Sequence, residues 1–255
     1  MPSVLTLNIW NISEPLEQRM SLLIAGLNEL KPGIVCFQEV SPHPAQSRLQ
    51  SEIVAERCGF AHHRFSLTGH WENRDEGLAV LSQYPIARTA TVALPAFPGD
   101  RARQVLFAEI ELETHRVLVA NTHLAYALHM TSERKSQVFA LNRAIANYRK
   151  KFEAKSAIIC GDFNDKPDSP AIQAMLGDEP KRFDAFASCN TARDGHTFTS
   201  KNPYVDGTLW PDWRIDYIFG DGELDPVDCR VVFDGRDGLR IASDHFGVFC
   251  TLAFK

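Results

Sequence analysis

Several short apolar segments of this 255-residue chain end in polar side chains, and this pattern constrains the fold more than any other feature. Asn8 follows the segment VLTL, and Glu39 follows IVCFQ. Burying an ionised carboxylate without a partner is strongly unfavourable. We therefore expect strands whose ends meet at one polar cleft, where a cation or a substrate completes the shells of these groups.

The same pattern continues through the rest of the chain. Its other members are Asn121 and His123 after VLVA, Asp162 and Asn164 after AIICG, Asp216 within RIDYIF, and Asp244 and His245 before GVFCTL. Each residue alone has an ordinary structural interpretation. Asn8 suits a strand-end amide, His123 suits a hydrogen-bonded core histidine, and GDFND suits an Asx-turn before Pro167. Their combination, in these strand contexts, favours a shared site.

Strand-like and helical patterns alternate along the chain. Val4 to Ile9 is predicted to be a strand, and apolar residues at helical spacing follow until Lys31-Pro32-Gly33 stops the helix. A second strand, IVCFQEV, comes next, and a strand–helix–strand arrangement recurs around the helix that begins near Thr131. His62, His63 and His70 are assigned to a surface connection. We predict one domain over residues 1–255, with two packed sheets covered by helices.

The composition favours a globular protein without a basic surface field. Hydrophobic residues make up 44% and charged residues 23% of the chain, and the net charge of −5 argues against a global attraction to nucleic acid. Cys36, Cys160 and Cys250 lie in apolar segments, which is typical of buried thiols. The first residues show no signal-peptide pattern, and no window approaches a membrane span of about 20 apolar residues. We expect a cytoplasmic protein.

The motifs LNIWN, FQEV, NTHL, GDFND, RIDYIF and SDHFGV occur in this order over nearly the whole chain. Together they resemble the endonuclease/exonuclease/phosphatase superfamily, which includes deoxyribonuclease I, exonuclease III, sphingomyelinases and inositol-phosphate 5-phosphatases. GDFN and SDH are highly specific as a pair, whereas LNIWN and NTHL are moderately specific. The resemblance implies a four-layer α/β/β/α sandwich of two mostly antiparallel sheets flanked by helices.

The resemblance also implies a divalent metal. Mg²⁺ prefers oxygen ligands, so Glu39 is the first choice of ligand, with Mn²⁺ as a substitute metal. Asn8 is expected as an amide-oxygen ligand or as a partner of the ligands, and Asp244 as a further carboxylate near the metal. The sequence has no Cys/His cluster with the spacing of a zinc site.

The same resemblance implies catalytic roles in a reaction where water attacks phosphorus in line with the leaving group. Asp162 orients or deprotonates the water. Asn164 points to the same side if the backbone stays extended, and its amide NH₂ is expected to hydrogen-bond the pentavalent intermediate or transition state. His245 contacts the scissile phosphate and is oriented by Asp216, although the sequence equally permits His245 to be the general base. His123 donates to a phosphate oxygen or assists the leaving group. Exonuclease III-like members carry tyrosine at this position.

Two further groups of residues have weaker functional interpretations. Arg103 is the best candidate for an additional phosphate contact, although Arg101 and Arg103 also suit a solvated basic pair. The aromatic residues near the motifs suit either stacking on a ring substrate or packing within a loop. These aromatic residues are Trp10, Tyr204, Trp210 and Trp213.

The leading function is a Mg²⁺-dependent phosphodiesterase acting on a small molecule, a lipid headgroup or nucleic acid. An intracellular nuclease acting on DNA or RNA is the alternative. A third interpretation is an inactive binding module on the same fold, which is expected to lack some of the polar site residues. All of them are present here. The sequence indicates no protein partner.

Overall fold

The computed structural model is built from buried β-strands with helices packed on the outside. It describes residues 1–71, 74–177, 181–206, 211–236 and 238–255. The helices in these residues are α1 (Leu16–Leu30), α2 (Gln50–Arg57), α3 (Thr131–Lys151), α4 (Pro170–Leu176) and α5 (Ala185–Cys189). The strands are β1 (Ser3–Asn8), β2 (Ile34–Val40), β3 (His62–Trp71), β4 (Arg74–Ser82), β5 (Ile86–Ala93), β6 (Gln104–Glu111), β7 (Arg116–His123), β8 (Ser156–Asp162), β9 (Phe183–Asp184), β10 (Asp216–Gly220), β11 (Leu224–Val232) and β12 (Gly247–Phe254).

The strands form two mixed, mostly antiparallel sheets of six strands each. The first has the order β11-β12-β1-β2-β4-β3, and the second has the order β5-β6-β7-β8-β10-β9. One neighbouring pair in each sheet is parallel, β1 with β2 and β7 with β8. The remaining pairs are antiparallel. This topology confirms the predicted pair of mostly antiparallel sheets.

Apolar side chains fill three separate layers of the molecule. One cluster lies between the sheets and includes Val4, Val119 and Ile158. A second packs α1 and α2 on the outer face of the first sheet, and a third packs α3 and α4 on the second sheet. Since both faces of each sheet are covered, central strands such as β8 are buried at every residue. The four-layer α/β/β/α sandwich is thereby confirmed.

The parallel pairs determine where the polar strand ends meet. Asn8 is in register with Gln38 at the end of β1 and β2, and His123 is in register with Asp162 at the end of β7 and β8. Because parallel strands end at the same edge, each sheet presents its polar residues together. Contacts between β1 and β8 place the two edges side by side.

The structure corrects the prediction for one connecting segment and adds a strand. His62, His63 and His70 belong to β3, which lies at the edge of the first sheet. Strand β5, which was not predicted, lies at the edge of the second sheet. Edge strands commonly carry charged and polar side chains, so the hydrophobic alternation that identifies a strand is weak in both.

Gly161 in β8 has a conformation that only glycine tolerates. Its φ angle is 141°, and a Cβ atom there would lie 1.9 Å from the carbonyl oxygen of Thr122 on β7. We predict that Gly161→Ala lowers the free energy of unfolding by about 2 kcal/mol or more, because strain and a backbone clash combine. Urea denaturation measures the change.

Gly59 provides the matched control for this substitution. It also has a positive φ angle, 69°, but a Cβ atom would meet no heavy atom within 4 Å. Gly59→Ala should therefore cost only about 1 kcal/mol, the backbone penalty alone. Equal losses in the two variants would contradict the role assigned to the contact with Thr122.

Candidate active site

Asn8 joins carboxylates that come from the two different sheets. Its Nδ2 donates to Glu39 Oε1 at 3.1 Å and to Asp162 Oδ2 at 3.2 Å. Its Oδ1 accepts a hydrogen bond from the backbone N–H of Trp10 at 3.0 Å. The side chain is almost completely buried. Residues separated by more than half of the chain are therefore brought together at one polar cleft.

Two histidines face one oxygen of Asp162. Asp162 Oδ2 lies 3.4 Å from His123 Nε2 and 3.7 Å from His245 Nε2. On its other side, the His245 ring bonds through Nδ1 to Asp216 Oδ2 at 2.9 Å. Asp216 and Asp162 are in register on β10 and β8, so the second sheet carries both acidic partners of His245.

The two histidines have opposite electrostatic environments. Burial by itself would lower the pKa of His245, but Asp216 and Asp162 raise that pKa well above its ordinary value. For His123, burial lowers the pKa well below its ordinary value, and Arg103 and Arg101 lower it further. At neutral pH the cleft thus contains one imidazolium and one neutral imidazole.

The buried carboxylates of the cleft provide a suitable set of ligands for a hard cation. Burial raises the pKa of Asp162 to about 7, although His245 opposes the shift. Burial raises the pKa of Asp244 to about 7 in the same way, and the nearby Glu39 adds to it. Among the described residues, Asp216 Oδ1 is buried without a hydrogen-bond partner. A divalent cation would stabilise the ionised forms of these crowded groups.

Potential ligand atoms converge in two groups. In one group, atoms of Glu39, Glu76 and His123 all lie within 4.8 Å of one another. In the other, Asp162, Asp216 and His245 meet the same limit. Glu76 is already partnered, because Arg101 Nη1 lies 3.0 Å from each of its carboxylate oxygens. Among the described residues, Glu39 is bonded by the amides of Asn8 and Asn11 and not by a cation, so it is the carboxylate of the first group that is better able to bind a metal.

Asn164 does not follow the extended backbone expected from the sequence. Its φ angle is 53°, in the left-handed region. Its backbone N–H donates to Asp162 Oδ1 at 2.9 Å, and its Nδ2 donates to the carbonyl oxygen of Leu124 at 3.1 Å. GDFND thus forms an Asx-type turn as well as part of the cleft, since the turn holds the Asp162 carboxylate in place.

Arg103 and Arg101 line a cavity beside Glu39 and His123, but both guanidinium groups have acidic partners. Arg103 is buried and bonds Asp100 at 2.8–3.2 Å through two nitrogen atoms. Arg101 instead bonds Glu76. Contact of Arg103 with a substrate phosphate therefore requires that it share or exchange the Asp100 carboxylate, and this assignment stays a prediction.

The sequence reasoning did not single out three polar residues of the cleft. Asn11 donates to Glu39 Oε2 at 3.0 Å, and Ser243 Oγ donates to the Asn8 carbonyl oxygen at 2.6 Å. Glu76 is the third. Asn11 and Ser243 belong to the LNIWN and SDHFGV motifs, and Glu76 directly precedes the predicted strand GLAVLSQ. Glu76 thus fits the rule that polar residues flank apolar strands, and this signal in the sequence could have identified it.

A buried amide pair connects the two sheets beneath the cleft. Gln38 Nε2 on β2 lies 2.7 Å from Asn121 Oδ1 on β7, and both side chains are fully buried. Asn121 Nδ2 also donates to the carbonyl oxygens of Phe37 and Ala79 at 2.9 and 3.0 Å. Gln38 precedes Glu39, and Asn121 is two residues before His123. The pair therefore fixes the spacing between the halves of the cleft.

The aromatic residues singled out in the sequence have different positions. The Trp10 and Tyr204 rings lie 5.4 Å apart, and the Arg19 guanidinium lies 4.9 Å from the Trp10 ring. Trp213 is half-buried and pairs through its backbone with Phe198. Trp210 lies outside the described residues. One aromatic pair is thus established beside Asn8.

The family model for the Endonuclease/Exonuclease/phosphatase family matches residues 5–245. The chain belongs to this family, as its motifs indicate. The family consists of metal-dependent phosphoesterases, including nucleases and phosphatases. No curated protein matches the sequence.

Solved structures with low sequence identity share the fold. An endonuclease/exonuclease/phosphatase family protein from Leptotrichia buccalis is 20% identical, with a TM-score of 0.79 and complete coverage of both chains. TDP2 from Caenorhabditis elegans is 18% identical, with a TM-score of 0.82 over 100% of this chain and 75% of its own. The human Nocturnin catalytic domain is 17% identical, with a TM-score of 0.78 over 100% and 94%. Each similarity supports the architecture.

The described part of the chain contains no helix that is both sufficiently long and sufficiently apolar to span a bilayer.

The pairing of His245 with Asp216 leads to a prediction that is independent of any activity. Asp216→Asn removes the carboxylate that opposes the effect of burial, so the pKa of His245 should fall. Titration of the histidine ring resonances by NMR measures this shift. Asp225→Asn, at an exposed ion pair with Lys255, serves as the control and should leave the titration unchanged. An unaltered His245 titration in Asp216→Asn would contradict the electrostatic role of Asp216.

Proposed function

We propose that this protein is a Mg²⁺-dependent phosphodiesterase that hydrolyses its substrate by in-line attack of an activated water. The observation that carries the proposal is the position of Asp162 Oδ2, which lies 3.2–3.7 Å from Asn8 Nδ2, His123 Nε2 and His245 Nε2. A carboxylate beside two imidazoles supplies an acceptor for a water proton and donors for phosphate oxygens.

Each polar residue has a distinct proposed task. Asp162 orients the water and accepts its proton, while the Asn164 turn and Asn8 hold the carboxylate. His245, oriented by Asp216, contacts the scissile phosphate. Neutral His123 donates one hydrogen bond to a phosphate oxygen or to the leaving group. Assigning His245 as the base is the alternative, but its short contact with Asp216 and its raised pKa favour a charged donor.

We propose that Glu39 holds the metal, with Asn8 and Asp244 as partners. Asn8 contacts Glu39, and Asp244 is near enough for Glu39 to raise its pKa. When bound, Mg²⁺ would polarise a phosphate oxygen and stabilise charge on the leaving group, and Mn²⁺ would substitute for it.

A nuclease uses the same chemistry, since nucleic acid is a phosphodiester. An inactive binding module is disfavoured, because the polar residues meet within hydrogen-bonding distance.

All six cysteines lie in the described residues and are free thiols. Free thiols are typical of reducing compartments, which supports a cytoplasmic location.

The role of His245 is tested by substitution. We expect His245→Ala to lower kcat by at least about 100-fold, as for the loss of an acid–base or charge-stabilising group. Hydrolysis of bis-nitrophenyl phosphate with saturating Mg²⁺ measures the effect. His129→Ala removes an exposed histidine outside the cleft and should retain wild-type turnover. Turnover of His245→Ala at the level of this control would contradict the assignment.

A panel assay tests the reaction class and the metal together. Wild-type protein is compared in Mg²⁺, Mn²⁺ and EDTA on bis-nitrophenyl phosphate, single- and double-stranded DNA, RNA, sphingomyelin and inositol phosphates, with Asp162→Ala as the blank. Hydrolysis that depends on the metal and on Asp162 is expected with phosphodiesters, because the metal and the carboxylate act on the same phosphate. Hydrolysis that persists in EDTA, or that equals the blank, would contradict the proposal.

Metal binding is tested without activity. Glu39→Gln keeps the size of the side chain but removes its charge, so the affinity for Mn²⁺ should fall at least about tenfold. Isothermal titration calorimetry of Mn²⁺ measures the affinity. Glu56→Gln, at an exposed pair with Arg48 on α2, should bind Mn²⁺ like the wild type. Equal affinities for all three proteins would place the metal elsewhere.

A further inference from the structure

A groove of about 740 Å³ lies next to the catalytic cleft, and its lining includes four arginine or lysine side chains and two carboxylates. We call it the basic groove. It is bounded by residues between Phe186 and Lys201, by the end of β11 and by Phe246. Its cations are Arg193, Lys201, Arg230 and Arg236, and its acidic residues are Asp194 and Asp234. Cations thus outnumber carboxylates in a chain whose net charge is −5.

Two of these cations have no acidic partner in the part of the chain that the structure describes. Arg230 pairs with Asp228, and Arg236 pairs with Asp234. Arg193 and Lys201 are exposed and form no ion pair among the described residues. Unpaired cations that face a concave surface favour an anionic ligand, because the local field and not the total charge selects the partner.

A single segment, residues 196–202, separates the basic groove from the catalytic residues. The carbonyl oxygen of Thr197 accepts a hydrogen bond from the backbone N–H of Phe246 at 2.7 Å. Its Oγ1 accepts one from the backbone N–H of Asp216 at 3.1 Å. Phe246 itself follows His245. A ligand with one phosphate at His245 and another in the groove must cross this segment. Such a ligand carries at least two phosphates, as an oligonucleotide does.

An aromatic pair lies just beyond the end of this segment. Asn202 Nδ2 donates to the carbonyl oxygens of Ser243 and Asp244 at 2.8 and 2.9 Å, and Tyr204 follows two residues later. The half-buried rings of Tyr204 and Trp10 lie 5.4 Å apart beside Asn8. A groove with unpaired cations beside partly exposed rings is an arrangement suited to bind unpaired bases along with their phosphates.

We propose that the basic groove and the Trp10–Tyr204 pair bind a single-stranded nucleic acid, with its scissile phosphate at Asp162, His123 and His245. This inference rests on the proposed phosphodiesterase function and names its substrate class. Single strands are favoured over duplexes because the bases of a duplex are not free to stack on Tyr204 or Trp10. The acidic total charge does not conflict with this assignment, because Arg193 and Lys201 act locally at the groove and the local field selects the ligand.

The test measures binding in the Asp162→Asn background, so that the probe stays intact. Fluorescence anisotropy compares oligothymidylates of about two and about twelve nucleotides, lengths below and within the range of single-strand sites. Arg193→Glu/Lys201→Glu reverses the unpaired cations. Lys135→Glu/Arg143→Glu, on the exposed side of α3, makes the same charge change away from the groove.

The proposal predicts a length-dependent loss of affinity. The groove variant should bind the long probe at least about tenfold more weakly than its parent, and its salt slope should fall by about 1.4, because two phosphate contacts are lost. The affinities of the groove variant and of its parent for the short probe should agree within about twofold. The α3 control should bind both probes with affinities within about twofold of the parent. Tyr204→Ala should also weaken the long probe by about tenfold, through loss of stacking.

Several results would overturn the proposal. Equal losses for both probe lengths would show a general charge effect, and an unchanged affinity for the long probe would exclude the groove. Preference for a duplex of the same length would exclude the stacking role. The protein could instead bind phosphatidylserine vesicles more tightly than the long probe and lose this vesicle binding in the groove variant. That result would assign the groove to a membrane surface.

Failure of this inference is distinguishable from failure of the proposed function. Hydrolysis of bis-nitrophenyl phosphate by the otherwise unmodified groove variant should equal that of the wild type, because this small substrate does not reach the groove. If the wild type hydrolyses this substrate but binds both probe lengths equally, only the inference fails. If it binds with the predicted length dependence but hydrolyses no phosphodiester, the proposed function fails and the binding site stands.

Discussion

The hydrogen bond between Gln38 and Asn121 is the contact on which the geometry of the cleft depends. It crosses the layer between the two sheets at 2.7 Å, and most of the side chains that fill this layer are apolar and without direction. A buried amide left unpaired costs about 1–3 kcal/mol, so a shift of one sheet along the other is penalised at this point. Asn8 also joins the two sheets, because its side chain donates hydrogen bonds to Glu39 in the first sheet and to Asp162 in the second. Apolar packing holds the sheets together, and these amides set their register.

The same contacts explain how so many ionisable groups are accommodated in one place. Four buried or half-buried carboxylates surround His245 and Asn8, and burial raises the pKa of two of them, Asp162 and Asp244, to about 7. Their negative charge is offset by the His245 imidazolium and by amide donors from Asn8 and Asn11. Such an arrangement is unfavourable for stability by itself. It becomes reasonable where a cation and a phosphate ester complete the site.

The sequence was sufficient for the architecture and for most residues of the cleft, but not for Asn11, Glu76 and Ser243 or for the internal contacts. Glu39, Asp162 and His245 were identified because a charged residue beside an apolar strand requires a shared polar site. Local backbone conformation was not predictable in this way. Asn164 adopts a left-handed conformation, because an Asx-turn competes with the extended strand. Arg103 looked available for phosphate, but Asp100, three residues earlier, already holds its guanidinium. The edge strands β3 and β5 lacked apolar alternation.

The strand order of the first sheet has a consequence for biosynthesis. β1 lies between β2 and β12, so its antiparallel neighbour is made only after the rest of the domain has been translated. Asp244 and His245 directly precede that strand. A nascent polypeptide in which this region is still inside the ribosome therefore lacks both a central strand and two residues of the cleft. Assembly of the cleft is in this way coupled to the synthesis of β12.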